Sequence, residues 1–268
     1  MTMDLKLEGK VAIVTGAGNG IGRGIALGLA AEGATVVVAD LKAGDAERVA
    51  AEIVAQGGKG LALQTDATEE ASVNAMVAQS LAAFGRIDTL VNNVGGGADP
   101  ELLVKLSTAD WDRAIAVNLR SVFLCASAVA REMIPRRQGS IISIASISGR
   151  LGESLMGPYC AGKFGVIGLT QVLAKELGRY GITVNAVCPG YVWTPGWENI
   201  ARVLRADYPT LAEKSTEQIF QERVRATVPL GRPQTPEEVA GLVAFLASAQ
   251  ARSITGQAIH VDGGAVMH

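Results

Sequence analysis

Three cysteines, two histidines and a 4% share of aromatic residues mark the shortages in this chain of 268 residues, and its acidic and basic side chains nearly cancel to a formal charge of -2. Each shortage excludes something. Cys125, Cys160 and Cys188 are odd in number, far apart and without a CxxC pair, so they read as reduced thiols of a cytoplasmic protein, not as a disulfide framework. Both histidines, His260 and His268, sit at the C-terminus, which leaves no zinc or other metal centre to expect. A near-zero charge offers no footprint for nucleic acid or an anionic membrane, and the basic pair Arg136 and Arg137 suits the end of a helix. No apolar run reaches the length of a membrane span, and residues 1–10 lack the apolar core of a secretory signal.

What is present is a core-forming composition, 49% hydrophobic, and a rhythm. Short β-branched runs fall at 11–15, 35–39, 60–64, 89–92, 140–144, 183–187 and 258–261, with helical patterns near 20–32, 44–56, 69–84, 107–134, 159–180 and 236–248. The runs are apolar on both faces, as strands covered by helices on each side must be. Strict β–α alternation predicts an α/β fold: one doubly wound parallel sheet of seven strands, with helices on both faces, spanning 1–268 as one domain. Only 191–232 breaks the rhythm.

The first run leads into Thr15-Gly16-Ala17-Gly18-Asn19-Gly20-Ile21-Gly22, and a helical pattern follows at once. Glycines in a strand-to-helix turn let a pyrophosphate approach the amides at the helix start. A tight turn that binds nothing would use the same residues, but the strand before and the helix after supply the context a dinucleotide site needs. Asp40 closes the second run. A carboxylate there accepts hydrogen bonds from the adenosine ribose and repels a 2′-phosphate, although it can also cap the next helix. With Asn19 in place of a loop cation, the cofactor expected is NAD rather than NADP.

Tyr159 and Lys163 lie four residues apart at the start of a helical pattern, and so share one face. Bringing a phenol down by roughly three pH units takes about 4 kcal/mol. One cation at about 4 Å in an effective dielectric near 20 supplies roughly that much. Lys163 and an oxidised nicotinamide ring are both candidates. Ser146 precedes the tyrosine by thirteen positions, just past the fifth run.

Together these pieces resemble the short-chain dehydrogenase/reductase family over nearly the whole chain. The matching residues are the glycine loop 15–22, Asp66, Asn92-Asn93-Val94-Gly95, Asn118, Ser146, Tyr159 with Lys163, and Pro189-Gly190 followed by Thr194. The resemblance implies Tyr159 as general acid/base, Ser146 on the substrate oxygen, Lys163 on the nicotinamide ribose lowering the Tyr159 pKa, and Asn118 holding a water in a proton relay. It also implies cofactor contacts from Gly16, Asn19, Gly20, Ile21, Gly22, Asp40, Asp66, Ala67, Asn92, Val94, Gly95, Pro189, Gly190, Val192 and Thr194, the last orienting the carboxamide. Two departures are Val94, where the family usually has Ala, and Ala145, where a second Ser is common.

Five of the twelve aromatic residues, Tyr191, Trp193, Trp197, Tyr208 and Phe220, crowd into 191–220. They suit a lid over the nicotinamide or a surface helix pair held down by rings. Glu153, with Tyr191 and Trp197, is a candidate substrate contact: a carboxylate suits a substrate hydroxyl better than an acyl chain, and a solvated loop Glu would look the same. The stretch around Gly149-Arg150-Leu151-Gly152-Glu153 is loosely similar to polyol, sugar and acetoin or diol dehydrogenases. A 3-oxoacyl carrier-protein reductase and a cyclic-alcohol or steroid dehydrogenase are the enzymatic alternatives. An NAD-binding regulator or scaffold is the non-enzymatic one, against which the intact Ser146, Tyr159 and Lys163 speak. Ala161, Gly162, Gly165 and Gly168 smooth one helix for close packing, either within the chain or in the dimer face of a homotetramer, as the resemblance implies.

Overall fold

The β-branched runs become seven strands because each finds cover on both sides. The computed structural model describes residues 5–96 and 100–267, so His268 and the start of the N-terminal stretch lie outside the described residues. The strands are β1 (Val11–Thr15), β2 (Thr35–Asp40), β3 (Lys59–Gln64), β4 (Thr89–Asn92), β5 (Gly139–Ile144), β6 (Ile182–Pro189) and β7 (Ala258–Val261). They form one parallel sheet in the order β3-β2-β1-β4-β5-β6-β7. Chain direction across the sheet switches between β1 and β4, which both neighbour one another and lead outward in opposite senses. At such a point the loops leaving the carboxyl ends diverge and open a crevice.

The helices are α1 (Gly20–Ala31), α2 (Ala43–Ala55), α3 (Glu70–Phe84), α4 (Thr108–Ile115), α5 (Ser121–Arg136), α6 (Gly157–Leu177), α7 (Pro195–Asp207), α8 (Thr216–Thr227) and α9 (Pro236–Ala247). Alternation along each strand divides the core. Ala12, Val14, Val36 and Val38 pack with α1, α2 and α9, while Val11, Ile13, Val37 and Ala39 pack with α3, α5 and the C-terminal part of α6. The expected two-faced Rossmann-like architecture is what forms. β3 and β7, at the edges, are the least buried strands.

Two segments differ from the sequence reading. The stretch expected as one helix over 107–134 is α4 and α5 joined by a π-helical turn, Ala116–Arg120, which carries Asn118. The combined helix Thr108–Arg136 spans 29 residues with a mean hydropathy of 1.4 in its apolar window, long and apolar enough by composition to cross a bilayer. Interspersed charges hid this from a search for uninterrupted runs. Its apolar residues Val122, Leu124, Cys125, Val129 and Met133 are buried in the core. The irregular stretch 191–232 holds α7 and α8, started by side-chain caps from Thr194 and Ser215.

Candidate active site

A cleft of about 790 Å³ opens at the carboxyl edge of the sheet, running from Asp40 and Leu41 past Gly16 and Asn19 to Ser146, Tyr159 and Trp197. That size lies within the range of small-molecule and cofactor sites. At the β1 end, the glycine loop is shaped by close approach. A Cβ at Gly22 would lie 2.1 Å from the Gly16 carbonyl oxygen, and one at Gly18 would lie 2.8 Å from Asp40 Oδ2. Neither position admits a side chain. Asn19 stands at the α1 N-cap without a side-chain cap bond, so the first-turn amides of α1 face the cleft as a ready anion cradle. The loop, the uncapped helix and the cleft's extent fit a dinucleotide.

Asp40 is buried, and both its oxygens are already oriented: Oδ2 accepts from the Gly18 N–H at 2.8 Å and Oδ1 from the Lys42 N–H at 3.0 Å. The loop-facing and helix-start roles thus coexist. Asp66 and Ala67 line the same end, with Asp66 Oδ1 accepting from the Thr68 N–H and hydroxyl. The neighbouring asparagines separate. Asn92, expected as a cofactor contact, does not line the cleft and donates to the Ser143 hydroxyl at 3.2 Å. Asn93, matched only as part of the motif, donates to the carbonyls of Thr15 and Gly16 at 3.1 and 2.9 Å and lines the cleft with Val94 and Gly95. Strand alternation sends adjacent side chains to opposite faces, but which of the two meets the core is set by the packing of β4 between β1 and β5.

Past β5, extended backbone at Ser146 lets its Oγ cap the short turn Ile147–Gly149, accepting from the Ser148 N–H at 3.1 Å. Tyr159 and Lys163 enter from the first turns of α6, with Lys163 Nζ 5.6 Å from the Tyr159 ring centre. The Lys163 ammonium is buried and donates to the Ile144 carbonyl at 2.8 Å. Burial pushes the Tyr159 phenol up to about 12, and a hydrogen bond with Ser146 pulls the other way. Burial lowers Lys163 to about 8. The expected lowering of the phenol by Lys163 is not seen between these side chains: burial is the largest influence on each group and disfavours its charged form.

Asn118 is held by three side-chain bonds. Its amide donates to the carbonyls of Gly96 and Ala114 at 3.0 and 2.9 Å, and its Oδ1 accepts from the Gly96 N–H at 2.8 Å. The side chain clamps the β4 loop. The smooth face of α6 has an intrachain cause in part, because Cβ atoms at Gly162 and Gly165 would each lie 2.8 Å from Asn118 and Leu119 respectively, whereas Gly168 faces open space.

The substrate end is formed by Glu153, Met156, Tyr191, Thr194 and Trp197. Tyr191 and Trp197 stack at 5.4 Å, and Trp197 meets Phe220 edge-on at 5.2 Å, which binds α7 and α8 to the β6 exit. Pro189, Gly190 and Val192 continue that wall, held by the buried Gln234, whose Oε1 accepts from the Tyr191 N–H at 2.9 Å. Thr194 does double duty, lining the cleft and capping α7 through the Trp197 N–H. Burial raises the Glu153 carboxyl, and Arg223 from α8 draws it down. The same Arg223 donates to the Tyr191 hydroxyl at 3.4 Å. Sequence reasoning missed Gln234 and Arg223, since neither lies near the motif in the chain. Cys160 Sγ accepts from the Glu153 N–H at 3.4 Å, in keeping with a packing role.

The family model described as enoyl-(acyl carrier protein) reductase matches residues 16–266. The chain belongs to the short-chain dehydrogenase/reductase family. It is an oxidoreductase of that family, whose members act on small molecules. A 3-oxoacyl-[acyl-carrier-protein] reductase of Synechocystis sp. is 42% identical over 97% of this chain and 98% of its own length. The crystal structure of levodione reductase superposes with a TM-score of 0.91 at 33% identity, covering 97% of this chain and 98% of that one. A 7α-hydroxysteroid dehydrogenase complexed with NADH and 7-oxo-glycochenodeoxycholic acid gives 0.86 at 32% identity, covering 99% and 97%.

Proposed function

We propose that this short-chain dehydrogenase/reductase uses NAD(H) to interconvert a secondary alcohol and a ketone on a small, polar, hydroxylated substrate such as a polyol, sugar or vicinal diol. The observation that carries the reading is convergence: Ser146, Tyr159 and Lys163 line one cleft with the glycine loop, and Asp40 closes its far end. The nicotinamide ring supplies or accepts the hydride. Tyr159 gives a proton to the ketone oxygen, or takes it from the alcohol, so hydride and proton together balance the reduction. Ser146 Oγ already accepts from Ser148, which leaves its own proton to hold the same oxygen. Lys163, fixed on the Ile144 carbonyl, keeps a donor and a cation beside the ring and the ribose. The aromatic wall from α7 and α8 excludes water and acts as the lid.

Support for NAD comes from the buried, doubly oriented Asp40 and from Asn19 at the loop, where the neighbouring Arg48 is already bonded to the Gly18 carbonyl, Asp45 and Glu52. Support for a hydroxylated substrate comes from Glu153: an acyl chain threading past a largely desolvated carboxyl leaves it unpaired, which is costly. The acyl-thioester and steroid chemistries of the relatives are the alternatives. A homotetramer is part of the same reading, supported by the exposed Phe123, Phe164 and Val172 on α5 and α6. So is a cytoplasmic location, supported by three buried, unpaired cysteines.

The test is a nicotinamide-absorbance screen over polyols, aldoses, diols, cyclic alcohols and 3-oxoacyl thioesters, run with NAD(H) and with NADP(H). Turnover with a hydroxylated substrate and NAD is expected; preference for thioesters overturns the substrate assignment. Asp40→Ser should raise the use of NADP relative to NAD by about tenfold or more, and an unchanged ratio overturns the cofactor assignment. Glu153→Gln should raise KM for the hydroxylated substrate by about tenfold, the worth of one charge-assisted hydrogen bond.

A further inference from the structure

An ion-pair network borders the adenosine end of the cleft and takes no part in the chemistry above. Arg48, on α2, donates from Nη2 to the Gly18 carbonyl at 2.6 Å and to Asp45 at 3.3 Å, and from Nη1 to Glu52 at 3.0 Å. The second oxygen of Glu52 accepts from Arg23 Nε, on α1, at 2.9 Å. Gly18 is thus held through both of its flanking peptides, its carbonyl by Arg48 and its N–H by Asp40. The first turn of α2 presses close, since a Cβ at Gly18 would lie 2.7 Å from Asp45 Cβ.

Two consequences follow for the adenosine ribose. Holding the Gly18 carbonyl restrains the residue whose N–H makes one of the two bonds that orient the Asp40 carboxylate. The two guanidiniums of this network already have carboxylate partners. Their side chains are 41% and 46% exposed, open enough to reach a ligand phosphate if released, and guanidinium–phosphate pairing is among the strongest charge-assisted contacts.

We propose that Asp45 and Glu52 are specificity-determining residues for the cofactor: by holding Arg48 and Arg23 in ion pairs they withhold two cations from a 2′-phosphate, while Arg48 is a positioning residue that steadies Asp40 by restraining Gly18. This rests on the NAD reading above and deepens it. The preference for an unphosphorylated ribose is then built in two layers, a carboxylate that repels and a second pair of carboxylates that occupies the neighbouring arginines.

The test titrates the full chain with NADH and with NADPH, following nicotinamide fluorescence, so no substrate is needed. In Asp45→Asn combined with Glu52→Gln, affinity for NADPH should rise about tenfold while that for NADH stays within about twofold. Arg48→Met should weaken NADH by about fivefold with NADPH little changed, and Arg48→Lys should recover part of the loss. Loosening of the loop by itself would weaken both nucleotides equally. If the double variant does not fold, Glu52→Gln alone, late in α2, reads the same ratio at smaller amplitude. A wild-type chain that binds NADPH as tightly as NADH removes the NAD reading and this inference with it. A wild-type chain that favours NADH and responds to Asp40→Ser, but whose ratio is unmoved by the Asp45, Glu52 and Arg48 substitutions, overturns this inference alone.

Discussion

At the amino edge of the sheet Asp88 meets two arginines; at the carboxyl edge Lys163 meets only a carbonyl oxygen. Both groups are buried beside the central strands. Asp88 accepts from Arg86 Nε at 2.7 Å, from Arg136 at 2.9 Å and from the Val11 N–H at 3.0 Å. Burial by itself would raise its carboxyl, but these bonds prevail and hold it below the ordinary range. Lys163 has no carboxylate within hydrogen-bonding distance among the described residues, and burial lowers it to about 8. One edge neutralises its charge within the polypeptide and is a staple. The other leaves its ionisable groups without a counter-charge, and burial disfavours the charged form of each.

The sharpest way to break that contrast is Tyr159→Phe. Loss of the proton donor should lower kcat by about a thousandfold, with NADH affinity and the melting temperature essentially kept; retained turnover, or equal loss of nucleotide binding, removes Tyr159 from its assigned role. At the opposite edge, Asp88→Ala strands two arginines and the Val11 N–H, and should cost about 3–5 kcal/mol in urea unfolding. The specific activity of the folded fraction should not change. Because the Asp88 carboxyl is held low, its stabilisation is present above the ordinary carboxylate range and disappears as pH falls through the folded value. The gap between wild type and variant should accordingly close in acid.

A smaller effect separates the two edges by pH alone. The unfolded chain holds the Lys163 proton up to its ordinary value of 10.5, whereas the folded chain releases it near 8. Across that window the unfolded state binds more protons, so stability rises with pH. Lys163→Met lacks the titration, and its stability relative to wild type should fall by roughly 3 kcal/mol as pH rises through the window. A constant difference would show that the amine is not desolvated as described.

Much of the site was legible because its signals are local. The glycine loop needs only the strand before it and the helix after it, and Tyr159 with Lys163 needs only helical spacing. Asn92 and Asn93 show where locality ends: two identical side chains at a strand exit, one entering the core and one the cleft, told apart by the burial of β4 between β1 and β5. Asn118 shows it again, since its amide is consumed by Gly96, a residue twenty-two positions away. Arg48 reaches Gly18 across thirty positions, and Arg223 reaches Tyr191 across thirty-two.

Order and type of elements and the two-faced core follow from periodicity and spacing, and Ser146, Tyr159 and Lys163 stand out through a motif resemblance, all of which the chain carries wherever it goes. Only the tertiary structure decided which polar groups are free and which are spent, and in which direction burial moves each proton. Those outcomes depend on distance from water and on partners remote in the chain, and both come into being when the helices close over the sheet.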